Sequence, residues 1–139
     1  MKNVIRVLCL GFGLMLINAG ASAQSCPNWS PKFDEITNPE VTARLQQTDW
    51  DAAIQQGGGA DAVIASFETL IENARIKRDD AARAVEQIAA DNDAARLDAT
   101  WSECRQGGNA LLAQKCQYLS MSELILVGEG SIELAQCRR

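Results

Sequence analysis

The sequence contains no histidine, and this absence excludes more chemistry than any residue that is present. Histidine is the commonest general base in enzymes and a usual ligand of zinc and haem. Serine and cysteine triads built on histidine are therefore excluded, and most zinc and haem sites with them. A pair of carboxylates, as in glycoside hydrolysis, could still act as a catalytic site.

Other motifs of reactive or ligand-binding sites are also missing. No Cys-x-x-Cys pair occurs among the five cysteines, so neither a zinc ribbon nor a thiol oxidoreductase site is indicated. The segment Asp91-Asn92-Asp93 lacks the third ligand position, the central glycine and the closing glutamate of a calcium loop. The two glycine clusters, 57–59 and 107–108, are not followed by the Lys-Ser/Thr of a phosphate loop. We predict no catalytic residue, no metal and no cofactor.

Positive charge is scarce as well. Lys and Arg number 13 against 18 Asp and Glu, which gives a net charge of −5. Nucleic acid and anionic lipid both attract a positive surface, so neither is expected as a partner. A basic partner would be favoured electrostatically.

Residues 1–23 have the layout of a bacterial secretory signal. Lys2 and Arg6 precede and flank an apolar stretch over 7–17, and the segment ends Ala-Ser-Ala at 21–23. The stretch is too short to cross about 30 Å of hydrocarbon as a helix, which favours a cleaved signal over an anchor. Cleavage would leave residues 24–139, with 11 basic against 18 acidic residues and a net charge of −7. We expect a soluble periplasmic or secreted protein that has no stable membrane insertion after cleavage.

Four cysteines remain in that single predicted domain, 24–139. An even number of cysteines in an exported chain predicts two disulfides, and four cysteines allow three pairings. We favour Cys104–Cys116, which would clamp a helix–turn–helix corner, with Cys26–Cys137, which would tie the termini. Cys26–Cys104 with Cys116–Cys137 is the main alternative.

The segment 24–38 is predicted to be an irregular lead-in. Pro27 and Pro31 disfavour an α-helix there, and Pro39 restricts the residue before it. Asn38 and Pro39 have the residue types of a helix N-cap and first helical position. Thr48 offers a second cap, so 39–56 should form one bent helix or two short ones that end at the glycines 57–59.

Residues 60–106 carry an apolar stripe at helical spacing, in a context rich in alanine and free of proline. The stripe comprises Ile64, Phe67, Ile71, Ala74, Arg78, Ala81, Val85, Ile88, Asn92, Ala95 and Ala99. Whether the helix is continuous is open, because 91–93 is its weakest part. The stripe could be a coiled-coil seam for self-association, but we favour packing inside the chain against 110–137.

The remaining residues are also predicted to be helical. Gly107 and Gly108 end one element and Asn109 can cap the next, over 110–127. Gly128-Glu129-Gly130 is predicted to break that helix, and Ser131 to cap a last short one. The predicted fold is therefore all-α, a small helical hairpin or bundle stapled by two disulfides.

Four aromatic residues are the candidate interaction residues: Trp29, Trp50, Trp101 and Tyr118. Tryptophan and tyrosine anchor many interfaces and ligand pockets, although in a small domain the core accounts for most of them. The candidate acid pairs are Asp49 with Asp51, Asp79 with Asp80, and Asp91 with Asp93. Neighbouring acids on a helix point to different faces, so we do not expect them to catalyse a reaction.

Residues 101–104, Trp-Ser-Glu-Cys, are followed by two glycines and a helix that contains Cys116. This stretch resembles the C-terminal half of LprI-type periplasmic lysozyme inhibitors over about 20 residues. The rest of that family's pattern is absent, so the resemblance assigns no function and no site residue to this chain.

We expect an exported interaction protein of the bacterial envelope without catalytic activity, acting as an accessory subunit, adaptor or inhibitor of another envelope protein. The alternative is a small-molecule binding module with an apolar pocket between helices near Trp50 and Trp101. A carboxylate-dependent glycan hydrolase is a remote third hypothesis.

Overall fold

The computed structural model describes residues 25–89 and 96–139. Within them the chain forms a short 3₁₀ helix, Pro31–Glu35, and five α-helices. The α-helices are α1 Pro39–Gln46, α2 Trp50–Gln56, α3 Ala60–Ile88, α4 Trp101–Gln106 and α5 Ala110–Cys137. These two ranges contain no strand, which confirms the all-α prediction. The predicted signal lies outside the described residues.

The body of the fold is an antiparallel hairpin of α3 and α5, each roughly 42 Å long at 1.5 Å per residue. The predicted stripe on α3 supplies its buried face. Its buried members are Ile64, Ile71, Ala74, Ala81 and Val85. Ile64 belongs to the same core cluster as Leu134, and Ile71 to the same cluster as Ile125. The stripe thus packs inside the chain, and its members Asn92 and Ala95 lie outside the described residues.

The predicted break at Gly128-Glu129-Gly130 is wrong, because α5 runs through it to Cys137. A Cβ atom on Gly128 would lie 2.6 Å from Ile71 Cγ1, and one on Gly130 would collide with the Phe33 ring. Each glycine costs a helix about 1 kcal/mol relative to alanine. The close packing that they permit offsets this cost. These glycines are therefore contact positions rather than helix breakers.

Ser131 was predicted to cap a last short helix, and this too is wrong. Its hydroxyl donates to the Val127 carbonyl inside α5, at 2.6 Å, and the residue is fully buried. Serine hydroxyls commonly bond to the carbonyl four residues earlier when they lie within a helix.

Residues 60–106 do not form one helix. The first helix, α3, ends at Ile88, and Ala89 is already extended with ψ of 123°. Residues 96–100 are not helical, and α4 starts at Trp101. The predicted weak segment 91–93 lies in the undescribed gap.

The lead-in is less irregular than predicted, since it contains the 3₁₀ helix. Its N-cap is Ser30, whose Oγ accepts the Lys32 N–H at 3.2 Å. Proline is tolerated in the first turn of a helix because no N–H is needed there. The short helix buries Phe33, which is 1% exposed and belongs to the main core cluster.

Two of the three predicted helix starts and stops over residues 38–59 hold. Asn38 caps α1 by accepting the Glu40 N–H at 3.0 Å, with Pro39 first in the helix. The glycines 57–59 end α2, and Gly58 and Gly59 have positive φ. The predicted Thr48 cap is wrong by one residue. Asp49 caps α2 by accepting the Ala52 N–H at 3.1 Å.

Both favoured disulfides are present. The terminal disulfide, Cys26–Cys137, ties the lead-in to the end of α5. The corner disulfide, Cys104–Cys116, joins α4 to α5. Among residues 25–89 and 96–139, no helix is both long enough and apolar enough to cross a bilayer.

Candidate functional site

A groove of about 340 Å³ lies between α1, α4 and α5, and we call it the Trp101 groove. Its walls are mainly apolar, and a few polar groups converge on it. The apolar lining residues are Val41, Leu45, Trp101, Leu124 and Val127, and the polar ones are Asn38, Arg44, Thr48, Ser120 and Glu123. An apolar concavity with a small number of placed polar groups is the usual form of a binding site.

The start of α4 holds Trp101 in place. Thr100 and Glu103 form a capping box: the Thr100 hydroxyl accepts the Glu103 N–H at 3.2 Å, and the Glu103 carboxylate accepts the Thr100 N–H at 2.7 Å. The bond from the Thr100 backbone, with a second from its hydroxyl, lowers the pKa of Glu103. The corner disulfide then fixes α4 against α5.

Glu123 is the central polar residue of the groove. It is 6% exposed, and its carboxylate receives three hydrogen bonds. Oε1 accepts the Thr37 N–H and, at 2.6 Å, the Thr37 hydroxyl. Oε2 accepts the Trp101 indole N–H at 2.7 Å. All three groups act as donors, so both oxygens act as acceptors, as an ionised carboxylate does.

Glu123 therefore joins three parts of the chain. Thr37 belongs to the lead-in, Trp101 to α4, and Glu123 to α5. Within the described residues, no Lys or Arg nitrogen lies within 4.0 Å of its carboxylate. The three donors that the described residues supply to its carboxylate are all neutral.

The other polar lining groups are mostly engaged with nearby backbone. Asn38 Oδ1 accepts the Glu40 N–H, and Thr48 Oγ1 donates to the Arg44 carbonyl at 2.7 Å. Among the described residues that line the groove, Arg44 is the one with a cationic side chain, and it is exposed. Glu123 is consequently the buried charged group that a bound molecule would meet.

Sequence reasoning missed Glu123 and Thr37. One signal was available, because Glu123 is the only charged residue from 116 to 128. A single acid in an apolar helical segment is often buried with specific partners. The identity of those partners was hidden, since Thr37 is 86 residues away.

The four predicted aromatic residues lie in different surroundings. Trp101 lines the groove, whereas Trp50 is 5% exposed and stacks on Phe33 with ring centroids 5.9 Å apart. Trp29 is half-buried, packs edge-on against Phe33, and donates from Nε1 to Asp34 at 2.9 Å. Tyr118 is half-buried on α5 and does not line the groove. Trp50 and Trp101 therefore do not share the groove.

A second concavity, of about 520 Å³, lies beside the terminal disulfide. Arg138 borders it, and the guanidinium is already occupied. It donates to Asp51 Oδ1 at 2.6 Å, to Asn28 Oδ1 at 3.0 Å, and to the carbonyls of Pro27 and Leu134. The Arg138 guanidinium is therefore not free to bind a molecule in this concavity.

The candidate acid pairs mostly make local contacts. Asp49 caps α2, and Asp51 pairs with Arg138. Asp79 pairs with Arg78 at 3.5 Å, and Asp80 pairs with Arg83. Asp91 and Asp93 lie outside the described residues. Among the residues described, no cluster of three His, Cys, Asp or Glu side chains could hold a metal ion.

In comparisons with known proteins, no family model, no curated protein and no solved structure matches this chain. Function must therefore be inferred from the geometry of the groove.

Proposed function

We propose that the chain is an exported binding protein of the bacterial cell envelope, without catalytic activity, which acts as an accessory subunit, adaptor or inhibitor. The observation that supports it best is the Trp101 groove. Apolar walls and one buried carboxylate there provide a recognition surface for a bound molecule.

Two features support export. The two disulfides fit an oxidising compartment such as the periplasm or the cell exterior, because cytosolic thiols are kept reduced. Residues 1–23 also have the charge, length and terminal small residues of a secretory signal.

A protein partner is our leading proposal. Groove walls of this kind accept an anchoring side chain from a partner, and buried anchors dominate interface energies. The net charge of −7 that 11 basic and 18 acidic residues give the proposed exported form, 24–139, favours a partner with a basic surface. Trp101 at the groove is one of the residue types that are enriched in interface cores.

A small-molecule ligand is the second candidate, and the size of the groove favours it. A volume of about 340 Å³ lies at the lower end of the range of roughly 300–1,000 Å³ for ligand pockets. A carboxylate-dependent glycan hydrolase is the third candidate. Turnover that disappears on substitution of one carboxylate would establish it and refute the non-catalytic proposal.

The leading proposal is tested by crosslinking the tagged protein inside cells and identifying bound proteins by mass spectrometry. Ser120→Phe would fill the groove from α5 without removing a Glu123 hydrogen bond. Ser66→Phe, on the exposed side of α3, is the matched control.

We expect one dominant partner with the wild type and the control, and its loss with Ser120→Phe. A partner that Ser120→Phe retains would show that the groove is not the interface. If no partner exceeds background, the protein-partner proposal fails and the small-molecule candidate takes its place.

A further inference from the structure

We infer that the Trp101 groove binds a small organic cation, a primary ammonium group carried on an apolar body. The ammonium would contact the Glu123 carboxylate, and the body would lie along the apolar walls. This inference rests on the small-molecule form of the proposed function and specifies its ligand class.

The charge of Glu123 is the first argument. A buried carboxylate is stable when it is paired or well hydrogen-bonded. Glu123 has three neutral donors, and among the described residues no Lys or Arg nitrogen lies within 4.0 Å of it. An ammonium would supply the missing positive charge in a partly desolvated site, where charge-assisted hydrogen bonds are stronger than neutral ones.

The hydrogen-bonding capacity of Glu123 is the second argument. A carboxylate offers about four lone-pair sites. Thr37 uses two of them on Oε1 and Trp101 uses one on Oε2. One acceptor site on Oε2 remains, and a donor that enters the groove can take it. Alcohols can donate as well, but they bring no compensating charge.

The apolar groove walls determine the chemistry of the rest of the ligand. Val41, Leu45, Leu124 and Val127 line the groove together with the Trp101 ring. Burying each methylene against such walls strengthens binding about fourfold. An anionic ligand of the same shape would be repelled by Glu123. Arg44 does not reverse this, because its exposed guanidinium is solvated.

The direct test is calorimetric titration of the disulfide-bonded protein with three probes of equal length: n-octylammonium, n-octanol and n-octanoate. The indole N–H resonance of Trp101 is followed by NMR in the same titrations, because that N–H donates to Glu123. We expect n-octylammonium to bind with 1:1 stoichiometry and at least tenfold more tightly than either other probe. Binding should shift the Trp101 resonance and weaken about fourfold per methylene removed.

Substitutions distinguish binding in the groove from binding elsewhere on the protein. Ser120→Phe should weaken n-octylammonium binding at least tenfold, and Ser66→Phe should leave it unchanged. Glu123→Gln keeps the shape and removes the charge, so it should abolish the preference for the ammonium over the alcohol. The comparison of probes on the wild type does not depend on whether Glu123→Gln folds.

Equal affinity for n-octylammonium and n-octanol would overturn the inference while leaving an apolar binding site in place. Tighter binding of n-octanoate would overturn it in favour of an anion site organised by Arg44. If none of the three probes binds, this inference fails, whereas the small-molecule candidate with another ligand class and the protein-partner proposal are unaffected.

Discussion

Replacing Glu123 with alanine should destabilise the fold by about 2–4 kcal/mol, a large effect for one polar residue. Hydrogen bonds to charged groups contribute roughly 1.5–3 kcal/mol each, and Glu123 accepts three. Thr37 is exposed, so its two donors can rehydrate once the carboxylate is gone. Removing a buried charge also removes its desolvation cost. The bond to Trp101 and the loss of packing therefore account for most of the expected change.

Glu129→Ala provides a control on the same helix. Its carboxylate pairs with Lys32 at 3.4 Å and with Arg75 at 3.7 Å, but its side chain is 30% exposed. Partly exposed ion pairs of this kind contribute about 0–1 kcal/mol. Both variants remove one negative charge, so the difference between their free energies of unfolding reports the burial and hydrogen bonding of Glu123.

The assay is urea unfolding followed by circular dichroism, with both disulfides intact and linear extrapolation to water. Trp101→Phe, alone and combined with Glu123→Ala, completes a double-mutant cycle, in which we expect a coupling of about 1–2 kcal/mol. If the free energies of unfolding of Glu123→Ala and Glu129→Ala differ by less than about 0.5 kcal/mol, the claim that Glu123 joins the lead-in, α4 and α5 is refuted.

Three further predictions concern the disulfides, α5 and α4. Thiol titration of the unfolded exported protein should detect no free thiol. Removing the terminal disulfide should lower the free energy of unfolding by about 5 kcal/mol and removing the corner disulfide by about 3, because the loops that they close span 111 and 12 residues. A larger loss of stability for the corner disulfide would contradict the loop-length argument. Gly130→Ala should lower the free energy of unfolding by about 1–3 kcal/mol, although alanine has a better helix propensity than glycine, because the added Cβ would collide with the Phe33 ring. A rise in melting temperature would show that the contact between residue 130 and Phe33 is loose. The pKa of Glu103 is lower in the folded state than its ordinary value of 4.5, so its capping bonds to Thr100 stabilise α4 fully above pH 4.5 and are lost as the pH falls through the folded value. The protection factors of the α4 amides, which correct for the intrinsic pH dependence of exchange, should fall on acidification more in the wild type than in Glu103→Gln, and an equal fall would contradict this.

Local signals predicted most of the secondary structure. Caps such as Asn38 and Asn109, and the glycines at 57–59, act over a few residues and can be read directly from the sequence. The choice of Asp49 over Thr48 was not predictable, because both residue types cap helices and the backbone decides between them. The break after Ile88 was foreseen only as one possibility.

Features that depend on distant contacts were harder to predict. The continuity of α5 through Gly128 and Gly130 depends on Ile71 and Phe33, which lie far away in sequence. The disulfide pairing was favoured but not determined, because spacing alone leaves three alternatives open. The groove was anticipated only through Trp101, since Glu123 acquires its role from its partners 22 and 86 residues away.

The most direct test of the central proposal, that the Trp101 groove is where this protein binds its target, is site-specific photocrosslinking in the native cell envelope. A photoreactive amino acid is placed at Thr48, which lines the groove, and separately at Glu72, which is exposed on α3 outside it. We predict one adduct of defined mass from position 48, protein or small molecule, which is absent from position 72 and disappears in combination with Ser120→Phe. The same adducts from both positions, or an adduct from position 48 that survives Ser120→Phe, would contradict the proposal.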